Sequence, residues 1–212
     1  MNDKKIKNVL KFYVLCNSLK DVVRTGWKVW NVKRNRLESV AEHIYGVQML
    51  ALAMYKEFEY DLDIEKVIYM LSVHELEEII IGDLTRFDIS VKEKREKGKK
   101  AVSEILSSLN NSLDIEALID EFEKRETKEA LFAYYCDKLE CDIQAKLYDE
   151  ENCVNLEEQL NNRLLRVERV NEILEQEKTW SEAWIECDRP LYKDNNFIEV
   201  LDYLKENNIK EI

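Results

Sequence analysis

Apolar residues recur three and four positions apart along most of this chain, the spacing that gathers them on one face of an α-helix. Ile6, Val9, Leu10, Tyr13 and Val14 set the pattern in a first helix over about residues 3–22. Residues 23–38 lack the period and include Gly26, so they read as an irregular connection. A second helix starts at Ser39, because Ser39-Val40-Ala41-Glu42 has the form of a capping box, and it runs to about residue 58. A third, over about residues 64–81, stops at Gly82, which suits a left-handed cap. Ser90-Val91-Lys92-Glu93 is a second capping box and opens a charged helix to about residue 109. Further helices are predicted over about residues 114–124, 128–149 (capped by Thr127), 155–177 (capped by Asn155) and 196–206, with a short stretch near Trp184. Pro190 marks a break between the last two. The pattern predicts one all-α domain over residues 1–212, a bundle of about eight helices whose longer loops are 23–38 and 82–89.

Composition narrows the classes. With 4 Gly and 1 Pro in 212 residues, the chain lacks the turn formers that a sandwich or barrel needs. It also has no Gly-rich phosphate loop. Apolar residues at 45% suffice for a packed core. The net charge of −12 disfavours nucleic-acid polymers and anionic membranes as partners. No apolar run reaches the ~18 residues of a membrane span. The N-terminus lacks the long apolar core and cleavage site of a signal peptide. Five cysteines, odd in number and without a C-x-x-C pair, read as reduced thiols in a cytoplasmic protein.

Candidate chemistry lies in a few places. The only two histidines, His43 and His74, both fall within predicted helices. His74 is followed by Glu75, then by Glu78 four positions on, and by Asp83 past Gly82. Asp137 sits within Tyr134-Tyr135-Cys136-Asp137-Lys138-Leu139, where packing alone calls for an apolar residue. Imidazole with carboxylate suits a divalent first-row metal. The same residues also fit an ordinary acidic, solvated helix face, and residue 78 is not the second His of an H-E-x-x-H zinc motif. Residues 24–36 hold five basic side chains (Arg24, Lys28, Lys33, Arg34, Arg36), Trp27 and Trp30, and no acid. Guanidinium suits phosphate and an indole face suits a base or sugar. The alternative is a solvated basic loop with its tryptophans buried. Residues 92–100 are also basic and are assigned no role, as an exposed helix start.

The order His43, His74-Glu75, Asp137 resembles the H…HD…D signature of the HD-domain metal-dependent phosphohydrolases. It is similar in particular to the branch of the bacterial 5′-deoxynucleotidases and their eukaryotic relatives. Arg24-Thr25-Gly26-Trp27, Glu38 to His43, His74 to Glu78 with Gly82-Asp83, and Cys136 to Glu140 carry the resemblance, which spans about residues 10–150. The helices over 155–212 carry nothing diagnostic. Glu75 stands where the family usually has Asp, and Glu77 where a small residue is common. The resemblance implies an HD-type helical fold and a phosphomonoesterase that removes the 5′-phosphate of deoxynucleoside monophosphates. It implies one divalent ion (Mn, Co, Fe, Ni, Zn or Mg) held by His43, His74, Glu75 and Asp137. Glu78 and Asp83 would be catalytic, and Arg24 and Trp27 would bind substrate. In the bacterial enzymes that Arg and Trp are adjacent, whereas here Thr25-Gly26 separates them. The resemblance also implies a homodimer. Two alternatives stand beside it: an HD-type hydrolase of nucleoside triphosphates, cyclic dinucleotides or non-nucleotide phosphates, and a non-catalytic nucleotide-binding module with a decayed metal site.

Overall fold

Two serines open helices as their neighbours predict. The structure, a computed structural model, describes residues 2–85, 88–159 and 162–212. The Ser39 hydroxyl accepts the Glu42 N–H at 3.3 Å, and Glu42 Oε2 accepts the Ser39 N–H at 2.9 Å. Ser90 and Glu93 form the same reciprocal box, and Thr127 Oγ1 accepts the Ala130 N–H at 3.2 Å. Each box satisfies backbone donors that a helix start would otherwise leave open. The helices are α1 (Asn2–Asn17), α2 (Thr25–Val29), α3 (Val40–Glu57), α4 (Ile64–Val73), α5 (Glu78–Ile81), α6 (Val91–Leu106), α7 (Leu113–Lys124), α8 (Lys128–Glu150), α9 (Glu168–Gln176), α10 (Trp180–Asp188) and α11 (Asn195–Glu206). No strand occurs among the described residues, where extended pairing amounts to an isolated bridge between Val23 and Ser39. The predicted all-α class holds.

Four predicted boundaries change, the first because the helix expected over about 3–22 ends at Asn17 and gives way to a 3₁₀ turn, Ser18–Lys20. The helix expected over 64–81 is interrupted at residues 74–77. There the N–H groups of Leu76, Glu78 and Ile79 bond three residues back, to Val73, Glu75 and Leu76. This tightened winding rotates the residues that follow out of register with α4. The helix expected over 155–177 is instead two short 3₁₀ turns, Leu156–Glu158 and Arg163–Arg166, followed by α9. Asn155 and Asn162 each use a side-chain oxygen to hold a backbone N–H two residues on, which favours turns over continuous helix. The irregular connection over 23–38 contains α2. Of the loop expected over 82–89, residues 86 and 87 lie outside the described residues.

The helices group into two compact units, Met1–Thr25 with Glu38–Tyr134, and Gly26–Leu37 with Tyr135–Ile212. Helix α8 continues through the division.

In the first unit, α3 packs on α4, α4 on α7, and α5 on α6. The buried stripe of α3 is Val40, His43, Val47, Ala51 and Met54. Burying an aliphatic side chain contributes roughly 1.5–3 kcal/mol, so an imidazole in that stripe forgoes a large apolar gain. Val73, Leu76, Val102 and Leu106 form a further cluster, with Phe12, Cys16 and Ile79 against it. Gly82 takes φ +71° and ψ 170° as the cap of α5, a region that side-chain-bearing residues avoid.

In the second unit, Trp27, Trp30, Val32, Ala145, Tyr148, Cys153, Val170 and Trp180 make one core. Its two N-terminal tryptophans draw the basic connection inward. The Lys33 N–H bonds the Cys153 carbonyl at 2.7 Å, and Gln159 Nε2 donates to the Trp30 carbonyl at 2.8 Å.

Candidate metal centre

His43 lies one turn into α3 and is fully buried. Its ring centroid is 5.8 Å from that of His74. His74 caps the C-terminus of α4 and is also buried. Its Nδ1 lies 2.8 Å from the Leu71 carbonyl oxygen, which makes Nδ1 the protonated nitrogen and leaves a lone pair on Nε2. Nε2 faces Glu75 Oε1 at 3.7 Å. The edge of Phe122 fixes the ring from the side, with centroids 5.1 Å apart. His43, His74 and Glu75 each offer a ligand atom, and these atoms lie within 4.8 Å of one another. A backbone carbonyl that sets the tautomer of a histidine is a usual support for a metal ligand. Two neutral imidazoles and a carboxylate are also a donor set that suits a first-row divalent ion.

Charge around this cluster points the same way. Glu75, Glu77, Glu78 and Asp83 all act electrostatically on Lys94, and Arg24 lies 3.4 Å from Glu75. Four carboxyl groups therefore crowd two basic side chains, and ionising all four would leave a negative surplus that a divalent cation would balance. Glu78 is 1% exposed. Burial first, then the charges of Glu75 and Asp83, push its carboxyl up to about 10, against the pull of Lys94 and Arg24. Glu77 is pushed up to about 7, again by burial first and then by Glu75. Glu78 Oε1 lies 3.5 Å from Lys94 Nζ, while its Oε2 has no hydrogen-bond partner among the described residues. The interruption at 74–77 means that Glu78 does not sit one regular turn above His74, as continuous helix implied. It opens the separate α5 instead.

Asp83 serves the segment that carries Arg24. Its Oδ2 accepts the Thr25 N–H at 2.6 Å, and its main-chain oxygen accepts the Thr25 hydroxyl at 2.6 Å. The Arg24 N–H donates to the Glu38 carbonyl at 3.0 Å. These bonds pin the backbone on both sides of the Arg24 side chain, whose Nη1 reaches Glu75.

The basic connection follows the reading in which its tryptophans are buried. Trp27 offers no face to a substrate: it is 1% exposed, stacked on Trp184 at 5.2 Å and met by the edge of Tyr148 at 5.2 Å. Aromatic packing has consumed the surface that a base would need. Nor are Lys33 and Arg34 set for phosphate, since Lys33 pairs with Glu158 and Arg34 with Glu151.

Asp137 belongs to the second unit. It lies on α8, 4% exposed, with Lys138 Nζ 2.9 Å from its Oδ2. A carboxylate this buried within a helix is costly unless ionic partners compensate it.

Sequence reasoning missed Lys94 and Thr25. Lys94 hides in a run where five other basic residues look the same. The one signal was Gly98, four residues on, since a glycine inside a helix marks close approach by another element.

A family model described as HD domain matches residues 16–180. The chain belongs to the HD domain family. Among proteins it is similar to is the 5'-deoxynucleotidase HDDC2 of Dictyostelium discoideum, 34% identical over 154 residues that cover 69% of this chain and 80% of that one. The HDDC2 of Danio rerio is 36% identical over 68% of this chain and 70% of that one. The 5'-deoxynucleotidase hdd1 of Schizosaccharomyces pombe is 30% identical over 76% and 81%. Among solved structures, a conserved hypothetical protein from Pyrococcus furiosus superposes with a TM-score of 0.66 at 25% identity, covering 93% of this chain and 99% of that one. A predicted metal-dependent phosphohydrolase from Magnetospirillum magnetotacticum shares the fold, with a TM-score of 0.65 at 21% identity over 98% and 96%.

Proposed function

We propose that the protein is a metal-dependent phosphohydrolase that removes the 5′-phosphate from deoxynucleoside monophosphates. The observation that carries this reading is the convergence of His43, His74 and Glu75, with the tautomer of His74 set by the Leu71 carbonyl and Glu78 buried close by in sequence and charge. Membership of the HD domain family and similarity to proteins named 5'-deoxynucleotidase supply the reaction class.

His43, His74, Glu75 and Asp137 would hold one divalent ion, with Asp137 supported as the fourth ligand by its burial and by the motif order. A divalent ion bound by such a set polarises a phosphoryl oxygen and makes water nucleophilic near neutral pH. Glu78 manages the proton of the attacking water through Oε2, the oxygen that no other described group engages. Asp83 commits Oδ2 to Thr25 and so holds Arg24 in place, which leaves its other oxygen for proton transfer to the leaving group. Arg24, whose guanidinium already reaches the carboxylate of Glu75, receives the substrate phosphate. Trp27, the other residue expected at the substrate, packs in the core of its own unit and stacks on no base.

Five free cysteines fit a reducing, cytoplasmic setting. A homodimer is supported by the exposed apolar row Ile6, Val9, Leu10, Tyr13 and Val14 on α1, a helix that buries no residue. The surplus of acids disfavours a polymeric nucleic acid as substrate.

The test is phosphate release by the purified protein, loaded in turn with Mn, Co, Fe, Ni, Zn and Mg. The panel comprises deoxynucleoside and ribonucleoside monophosphates, triphosphates, a cyclic dinucleotide and a sugar phosphate. Preference for deoxynucleoside monophosphates is expected. Turnover of another class alone would replace this substrate, and none with any metal would leave a binding module.

A further inference from the structure

Helix α6 begins in a run of six basic residues, and one of them is turned inward. Between Val91 and Lys100 every side chain is exposed except Lys94, which is half-buried, and Gly98 is buried. The two stand four apart and so share a helix face. At Gly98 the neighbour is Glu77, whose Cγ lies 3.4 Å from where a Cβ would stand. The missing side chain lets α6 lie close to the 74–78 segment, and one turn earlier the same approach brings Lys94 Nζ to 3.5 Å from Glu78 Oε1.

We infer that Lys94 is a positioning residue for Glu78: its ammonium holds Oε1, so that Oε2 stays directed at the reaction and the carboxylate cannot turn to a competing partner. This rests on Glu78 acting in the proposed phosphohydrolase. The arrangement is built, because all other basic residues of the run remain in solvent, and the glycine that permits it lies on the same face. The charges facing Lys94 are Glu75, Glu77, Glu78 and Asp83. Burial opposes its charge, yet these carboxylates outweigh burial and hold its ammonium more firmly protonated than usual. It is thus a fixed cation.

The experiment compares the metal-loaded wild type with Lys94→Met, Lys94→Arg, Glu78→Gln and the double variant Lys94→Met/Glu78→Gln. Lys92→Ala on the exposed face is the control. Lys94→Met is expected to lower kcat by roughly 10- to 100-fold, the scale of a small misplacement of a reacting group, with KM within about twofold. Lys94→Arg should recover most of the loss. In the Glu78→Gln background Lys94→Met should add little, because the two act through one group. A rise in KM at unchanged kcat would make Lys94 a substrate-binding residue and overturn the proposal, as would full additivity of the two substitutions. A crystal structure of Lys94→Met supplies a readout free of substrate. Displacement of the Glu78 carboxylate is expected, and an unmoved carboxylate sinks the positioning role. If the wild type releases no phosphate from any deoxynucleotide, the substrate assignment fails, and the crystal structure still decides the role of Lys94.

Discussion

At the scale of single residues, the first unit assembles groups whose tasks can be separated by substitution. His74→Ala removes the imidazole whose Nε2 is presented by the Leu71 carbonyl. Metal content and phosphate release should both vanish, as measured by elemental analysis and a phosphate assay on the same sample. Glu78→Gln keeps the shape of the side chain and should leave the metal in place. Turnover should drop by ~10²–10⁴-fold, the usual worth of a general acid or base. A Glu78→Gln enzyme at full speed would remove Glu78 from the mechanism. Asp142, in the second unit, is buried and bonded by the Tyr192 hydroxyl at 2.5 Å. Burial first, then the charge of Asp188, raises its carboxyl far above the usual range, although the Tyr192 bond pulls the other way. A carboxyl raised by folding stabilises the native state fully below its unfolded value near 3.9. That contribution is lost as pH climbs toward the folded value, because the unfolded chain releases the proton first. The wild type should therefore lose more stability between pH 5 and pH 8 than Asp142→Asn, whose amide carries no proton to lose. All four tryptophans lie in that unit, so unfolding followed by their fluorescence reports the right region. Equal slopes would show that Asp142 is charged in the native state.

At the scale of elements, caps and breaks decide where the chemistry stands. The capping box on α3 is both a stability device and a locator, since His43 comes one turn after Ser39. Ser39→Ala should cost about 1 kcal/mol in urea unfolding, the typical worth of an N-cap. Gly82→Ala should cost about 1–3 kcal/mol, because the φ of +71° strains any residue with a Cβ. Among the described residues no atom lies within 4 Å of that Cβ, so the cost is assigned to the backbone and calorimetry should find it without altered packing. Both boundaries were legible in the sequence because a Ser-x-x-Glu box and a terminal glycine act within a few residues of themselves. The interruption at 74–77 was not. Apolar spacing runs through it, and the tightened turn depends on how α4, α5 and α6 pack.

At the scale of the whole molecule, light scattering on the purified protein tests the assembly. A dimer that becomes monomeric when Val9 and Tyr13 on α1 are replaced by Glu and Lys would support that helix as the interface. A monomeric wild type would remove it. The sequence by itself determined the all-α class, most helix boundaries, the acidic surface and the short set of imidazoles and carboxylates worth attention. These follow from local propensity, periodicity and the scarcity of histidine, which need no knowledge of distant neighbours. Only the tertiary structure decided that Trp27 is core, that Lys33 and Arg34 are paired with acids, that Asp83 holds Thr25, and that Lys94 alone among its basic neighbours reaches Glu78. Each of those depends on which side chains meet across tens of residues, and the packing of helix faces settles that, since nothing in the spacing along the chain encodes it.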